Sequence, residues 1–386
     1  MHLLAINRGS SSLKFALYEA GQTESLLLKG ELERKGGSDG LFRVKGAKGE
    51  VLHDQPLPWP SSNVSQPITA WLMDWLKDRK LDGITHRVVQ GGEKFVEPQR
   101  IDSTVLSALK KLVPLAPEHL PGEIESIESF ARDFPDVPQI ACFDTAFHRS
   151  MPPVAQTVAL PPEHGLVRFG FHGLSYEYIR EELNRAGQSR KKAVIAHLGN
   201  GCSMAAVRGG VGIDTTMGFT PTGGLVMGTR SGDLDPGVIV YLLREHGLNP
   251  DQLNDLVNKK AGLLGVSGLS PDMRELLTHE GGNPRAKLAI DLFCYQAKKF
   301  LGCMAAALGG IDTLVFTGGI GENSSEIRKR ICTELEYLGI RLDPARNNAG
   351  DDRISQDNSP VSVLVIKTNE ELMLVRHASR LLSRAS

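Results

Sequence analysis

Two arginines, a histidine and two carboxylates stand where strands and turns alone would not choose them. HRVVQGG sets Arg87 inside an apolar, β-type phrase, just before Gly91-Gly92. MGTRSGDLDP sets Arg230 in a tight loop, and FGFHGLS puts His172 between glycines. CFDTAFH puts Asp144 directly after the apolar run 140–143, at a strand end, where chemistry gathers in open α/β sheets. TNEE puts Glu370 just past another strand. Each taken alone is more often a salt bridge or a cap. Guanidinium is always charged and can bind carboxylate or phosphate with two parallel bonds, which is the chemistry such arginines could do. A further phrase, LAPEHLP (115–121), holds Glu118 and His119 between Pro117 and Pro121, with Pro114 just before. Proline fixes φ and removes a donor, so this is a stiff turn carrying an acid and an imidazole.

Glycine-rich turns after strands aim backbone N–H groups at phosphate. The chain has no Gly-Lys dipeptide, which excludes a Walker A loop, and no G-x-G-x-x-G directly after a strand. What remains is a nucleotide gripped by turns from two halves of the chain. NRGSSSLKF supplies Asn7, the hydroxyls of Ser10, Ser11 and Ser12, and Lys14. HLGNG (197–201) supplies an amide and bare backbone, and GGIGEN (318–323) a glycine floor for an adenosine. Singly each is a turn first; the three in this order favour a nucleotide site.

The elements that must position these groups alternate between strand and helix. LLAINRGSSSLKFALYEAG (3–21) and AVIAHLGNGCSMAAVRGG (193–210) each read as strand, small-residue turn and second strand, about half a chain apart. The match suggests a duplication. A helix is expected over 65–81, with Ser65 as N-cap and Trp71, Leu72, Trp75 and Leu76 as core packing. Another opens at Asp235-Pro236, with Val238, Ile239, Leu242 and Leu243 as its apolar stripe, and closes at Gly247. The longest, 284–308, ends at Gly309-Gly310 and leads into a buried strand at Thr313. A last strand, 361–366, runs into a helix whose stripe is Leu372, Val375, Leu381 and Leu382. The stretch 36–49 reads as an exposed, charged loop. The pattern is α/β.

Composition excludes several classes. The chain has 386 residues, 41% hydrophobic and 23% charged, which is ordinary for a folded protein of two or three domains. A formal net charge of -1 gives no support to a nucleic-acid or acidic membrane partner. The 5 cysteines form no C-x-x-C pair, which reads as a reducing cytoplasm without a disulfide frame or zinc ribbon. No apolar run reaches the ~18 residues of a membrane span, and the N-terminus does not read as a signal peptide.

N-x-G-S-S-S-x-K-F at 7–15 and AHLGNG at 196–201 resemble the two signatures of acetate kinase. HRVV-GG, FDTAFH, GFHG-S, MGTRSGDLDP, GGIGEN and TNEE follow in that family's order, so the resemblance covers essentially the whole chain. It implies an α/β fold of duplicated ribonuclease H-like (actin-like ATPase) domains with an interdomain nucleotide cleft. One domain would span 1–146 plus 371–386 on the acid side; the other would span 147–370 on the nucleotide side. The superfamily takes in sugar kinases, actin and heat-shock ATPases. The implied reaction is reversible, in-line phosphoryl transfer from ATP to acetate or propionate, giving an acyl phosphate and ADP. Arg87, Asp144, His172 and Arg230 would be catalytic, with Asp144 near the metal, orienting Arg87 or acting as a base. Arg87, Val89, Glu118, His119, Phe171 and Pro221 would receive the acid. Lys14, His197, Leu198, Gly199, Asn200 and Gly201 would contact the nucleotide, as would Asp272, Met273 and Arg274, and Gly319, Ile320, Gly321, Glu322 and Asn323. Asn7 and Glu370 would hold Mg²⁺, with Mn²⁺ as the alternative, and the enzyme would be a cytoplasmic homodimer.

The departures from the family pattern cluster around the acid. Glu118 stands where the family has a pocket-lining leucine, Gln90 where it has histidine, and Leu120 where it has asparagine; Leu174 and Tyr176 also differ. A carboxylate facing a methyl group is costly unless it is paired or solvated. Glu118 therefore either turns outward, or fits the pocket to a more polar small acid, or marks a cleft that does little acyl-phosphate chemistry. A sugar or polyol kinase and a nonenzymatic ATP-switched module are the readings from other classes; the first needs a hydroxyl nucleophile with a base, the second needs neither arginine.

Overall fold

The computed structural model describes residues 1–9, 12–36, 38–60, 63–77, 79–188 and 191–384. Ser10 and Ser11, two of the hydroxyls in the first turn, lie outside them. The chain divides into two units, Met1–Phe147 with Asn369–Ser386, and His148–Thr368.

The first unit is built on β1 (His2–Arg8), β2 (Ser12–Ala20), β3 (Glu24–Gly36), β4 (Asp39–Gly46), β5 (Val51–Pro58), β6 (Gly83–Val88), β7 (Gln99–Arg100) and β8 (Gln139–Phe143). They form one sheet in the order β5-β4-β3-β2-β1-β6-β8-β7. β1 to β5 pair antiparallel in sequence, while β1, β6 and β8 run parallel. The second unit has β9 (Lys192–Leu198), β10 (Cys202–Arg208), β11 (Val211–Thr215), β12 (Thr313–Thr317) and β13 (Ser362–Val365), in the order β11-β10-β9-β12-β13. β9 to β11 are antiparallel; β9, β12 and β13 are parallel. The segment β3-β2-β1-β6-β8 thus repeats in the second sheet strand for strand: a three-stranded meander, then two parallel strands. The duplication suggested by two short phrases extends to five strands per unit.

The parallel strands β8 and β12 are buried along their length, as strands covered on both faces must be. In the first unit Phe15, Leu28, Phe42 and Val44 pack on Ile68 and Leu72 of helix Gln66–Leu76 and on Phe130 of helix Leu120–Asp133. Trp71 and Trp75 are half-buried and stack on each other at 6.3 Å. That helix stops at Leu76 rather than 81, because Lys77 takes a positive φ of 44°. In the second unit helix Pro284–Leu308 packs on β9, β10 and β11. Asn283 caps it by accepting from the N–H of Arg285 and Ala286, and Gly309 ends it at φ 65°.

Three expectations need correction. Most of the stretch read as a loop over 36–49 is strand: β4 alternates, with Phe42 and Val44 inward and Arg43 and Lys45 outward, and the charges of Asp39, Arg43 and Lys45 had hidden it. Helix Pro236–Arg244 buries none of its residues; it is apolar all round, so its supposed stripe defines no inner face. Helix Glu370–Ser383 buries Met373, Leu374, Val375 and Ala378, whereas Leu372, Leu381 and Leu382 lie at the margin of that face. It packs on β1 and β6, which returns Glu370 to the first unit.

Candidate active site

In the first unit the parallel register sets the chemistry. Ile6 pairs with His86, and Arg87 with Cys142, so β1, β6 and β8 end side by side. Asp144, one residue past β8, donates its backbone N–H to the Val88 carbonyl at 3.0 Å. Its side chain is fully buried, and its Oδ2 accepts from Arg87 through both Nε, at 3.0 Å, and Nη2. Arg87 Nη1 donates to Asn7 Oδ1 at 3.4 Å, and Arg87 Nε lies 3.8 Å from Glu370 Oε2. Asn7 Nδ2 donates to Glu370 at 3.0 Å and to Glu371 at 3.4 Å. Burial alone would lower the Arg87 pKa, but Asp144 and Glu370 more than offset it, so the guanidinium stays charged. Burial pushes the Glu370 carboxyl up, against the pull of Arg87. Lys14 is exposed and opposite Asn7 in the β1–β2 hairpin.

The turn LAPEHLP follows a 3-10 helix, Val113–Leu115, and is closed by His119 N–H and Leu120 N–H on the Ala116 carbonyl, at 3.1 and 3.0 Å. Ala116 and Leu120 are buried, His119 is half-buried and Glu118 is exposed. Val89 is buried and donates its N–H to Glu123 Oε2 at 3.1 Å. Gln90, also buried, folds its Oε1 back onto the N–H of Gly92 at 2.8 Å.

The second unit brings together the other predicted groups. His172 caps helix Gly173–Arg185 in the left-handed region, at φ 59°. Its Nδ1 is bonded to Ser203 Oγ at 2.8 Å, and Tyr176 Oη meets the same oxygen. His172 stacks on His197 with ring centroids 4.3 Å apart. Thr368 Oγ1 donates to Ser175 Oγ at 2.9 Å, and Ser175 is bonded to His197 Nδ1 at 2.8 Å. A Cβ at Gly201 would lie 3.3 Å from His172 Nε2 and 3.5 Å from Arg230 Nη1, so both side-chain heads converge on that bare glycine. Arg230 Nη1 donates to the Pro221 carbonyl at 3.1 Å. His148 is buried and donates from Nε2 to the Phe171 carbonyl at 2.8 Å, which fixes the backbone next to His172. Sequence reasoning missed Ser203, Ser175 and Thr368, since buried hydroxyls leave no pattern, and Glu123, which does leave one: a carboxylate in the stripe Leu120, Ile124, Ile127, Phe130.

A cavity of about 760 Å³ within this unit is lined by Gly199 and Asn200, by Asp272, Met273 and Arg274, and by Gly319, Ile320 and Asn323. Its volume suits a nucleotide-sized ligand. Gly318, at φ 77°, opens the floor: a Cβ there would stand 2.8 Å from the Leu198 carbonyl oxygen. Two predicted contacts turn inward instead. Glu322 Oε1 accepts from Thr317 Oγ1, Gly318 N–H and Thr368 N–H at 3.3, 2.9 and 3.0 Å, and the Gly321 carbonyl accepts from buried Arg328 at 2.9 Å. Leu198 has a wholly buried side chain, which leaves only its backbone to meet a ligand.

The profile of the Acetokinase family matches residues 2–376. The chain belongs to that family. It is 45% identical to the acetate kinase of Rhodopseudomonas palustris, with 98% of each chain covered. It is 41% identical to the acetate kinase of Bacillus subtilis, covering 98% of this chain and 99% of that one. Among solved structures, a propionate kinase from Francisella tularensis superposes with a TM-score of 0.90 at 37% identity, over 97% of this chain and 98% of that chain. The Porphyromonas gingivalis acetate kinase gives 0.87 at 36% identity, over 99% of each. Membership makes the chain a phosphotransferase with a carboxyl group as acceptor and ATP as donor, and does not favour the reading of a more polar acid that rested on Glu118. Among the described residues no helix is long and apolar enough to cross a membrane.

Proposed function

We propose that the chain transfers the γ-phosphoryl group of ATP reversibly to acetate or propionate, through the groups that converge at the ends of β1, β6 and β8 and around Gly201. The observation that carries the reading is Arg87: a guanidinium fixed by buried Asp144 yet kept fully charged. A carboxylate is already nucleophilic at neutral pH, so the reaction needs charge neutralisation and alignment rather than a strong base. Arg87 grips the acid's carboxylate, and Arg230 and His172 meet the transferring phosphoryl group. Ser203, bonded to His172 Nδ1, orients the imidazole. Asp144 serves as the orienter of Arg87, since its Oδ2 already takes two bonds from the arginine. Val89 and His119 meet the acid's alkyl tail, while Glu118 lies exposed on its turn.

Asn7 Nδ2 donates to Glu370 and to Glu371, which gathers the amide and two carboxylates as hard oxygen groups that would fit Mg²⁺ or Mn²⁺. Such an ion, held by these groups, would supply neutralisation of phosphate charge.

The working form is a homodimer. Helix Pro236–Arg244 leaves Val238, Val240, Tyr241 and Leu243 exposed at 42%, 45%, 57% and 38%, and a second copy would cover them. None of the five cysteines forms a disulfide among the described residues, in keeping with the cytoplasm. The experiment is to incubate the protein with ATP, Mg²⁺ and hydroxylamine in the presence of acetate, propionate, hydroxy acids, a polyol or a sugar. Hydroxamate from acetate or propionate is expected; ATP turnover driven only by the polyol or sugar would overturn the reading.

A further inference from the structure

Glu123 lies in the apolar stripe of helix Leu120–Asp133, beside Ile124 and one turn from Leu120, and is 2% exposed. Its Oε2 accepts the Val89 N–H at 3.1 Å, and its Oε1 has no hydrogen-bond partner among the described residues. Val89 is two residues past Arg87, so this buried carboxyl group holds the backbone directly behind the acid-binding guanidinium. The charged groups that face it come from three other elements: Arg87 and Arg8, which favour its anion, and Asp144, which opposes it. Arg8 is already engaged by Glu125 and by Ser126 from the same helix, each at 3.2 Å. Arg87 is likewise committed to Asp144 and near Glu370. A carboxylate with one N–H partner in apolar surroundings is poorly solvated, and a neutral carboxylic acid fits there better. Burial pushes the Glu123 carboxyl up to about 8.

We propose that Glu123 is a positioning residue whose proton is linked to carboxylate binding at Arg87. As the neutral acid it leaves the arginine's charge to the substrate anion. As the glutamate anion, its proton released to solvent, it competes for that charge. By reciprocity, an acid bound at Arg87 draws a proton from solvent onto Glu123. The inference rests on the proposed role of Arg87.

The test measures KM for acetate and for ATP between about pH 7 and about pH 9.5, where acetate stays fully ionised, in wild type and Glu123→Gln. The wild-type KM for acetate should rise about tenfold across that range, an effect expected of one buried charge near another. KM for ATP should not follow it, and Glu123→Gln, a neutral isostere, should hold its KM for acetate level. Titrating acetate into the wild-type enzyme near pH 8, in two buffers of different ionisation enthalpy, should show proton uptake that the variant lacks. A flat wild-type profile in an active enzyme overturns the inference and leaves the functional reading standing; so does an equal rise in both proteins. Absence of acyl phosphate from either acid overturns the functional reading, and the inference with it. Should Glu123→Gln fail to fold, the wild-type profile and proton uptake decide alone.

Discussion

Replacing Asp144 by Asn separates the orientation of Arg87 from its charge. The amide keeps the shape and an acceptor oxygen but loses the negative charge. Arg87 now donates twice to one carboxylate oxygen, in a pair whose side chains are 13% and 0% exposed. A hydrogen bond to a charged group contributes ~1.5–3 kcal/mol and a neutral one ~0.5–1.5, so two bonds should lose about 2–3 kcal/mol. Glu370, at 3.8 Å, remains to compensate part of the charge, which argues against the larger cost of an isolated buried ion. If the loss falls on the aligned transition state, kcat/KM for acetate drops about 30- to 150-fold. The assay is steady-state ADP release with saturating ATP and varied acetate, beside thermal unfolding of both proteins. The expected result is that fall, with KM for ATP little changed and melting lowered by a few degrees. A kcat/KM within about threefold of wild type, with a clear loss of stability, would refute the reasoning and make Asp144 a purely structural anchor.

Three further outcomes are expected. Gly318→Ala meets the Leu198 carbonyl oxygen at 2.8 Å in a left-handed backbone at φ 77°; a cost of about 2–4 kcal/mol should lower the melting temperature and raise KM for ATP, and an unchanged KM for ATP would count against the glycine floor. Ser203→Ala removes the oxygen bonded to His172 Nδ1 at 2.8 Å; kcat should fall about tenfold, the equivalent of one hydrogen bond, in single-turnover measurements. His86, held by Gln139 Oε1 at 2.6 Å, and His148 are both depressed to about 4 by burial. Their folded pKa lies below the unfolded value, so their stability is present above about pH 6.5 and is lost as pH falls towards about 4. Each should contribute about 2 kcal/mol of that loss in urea unfolding at pH 7 and pH 4.5, and a smaller drop is expected of His86→Leu.

Much of the fold was legible because its signals are local. Strand, glycine turn and strand at the head of each unit, Asn283 and Gly309 at the ends of the longest helix, and Asp144 just past a buried run are all matters of spacing. β4 was not legible, since its outward positions carry charges and its inward ones include glycines. Helix Pro236–Arg244 misled because an apolar surface all round gives no direction. Within the site, side chains on strand ends could be named, but the network that aims them could not. Ser203, Ser175 and Thr368 come from three separate segments, and only the fold shows that their hydroxyls bracket two histidines. The side chain of Glu322 pins the turn, which the sequence could not show, since it gives a carboxylate but not which way it faces.

The central claim is that the arginines Arg87 and Arg230, rather than a base, drive transfer to a carboxylate. The most direct measurement is the rate of acetyl hydroxamate formation from ATP and acetate in Arg87→Ala and Arg230→Ala, each checked for an intact fold. Losing one transition-state contact of ~3–4 kcal/mol predicts a fall of ~100- to 1,000-fold in each variant. Wild-type-like turnover in either variant would contradict the account.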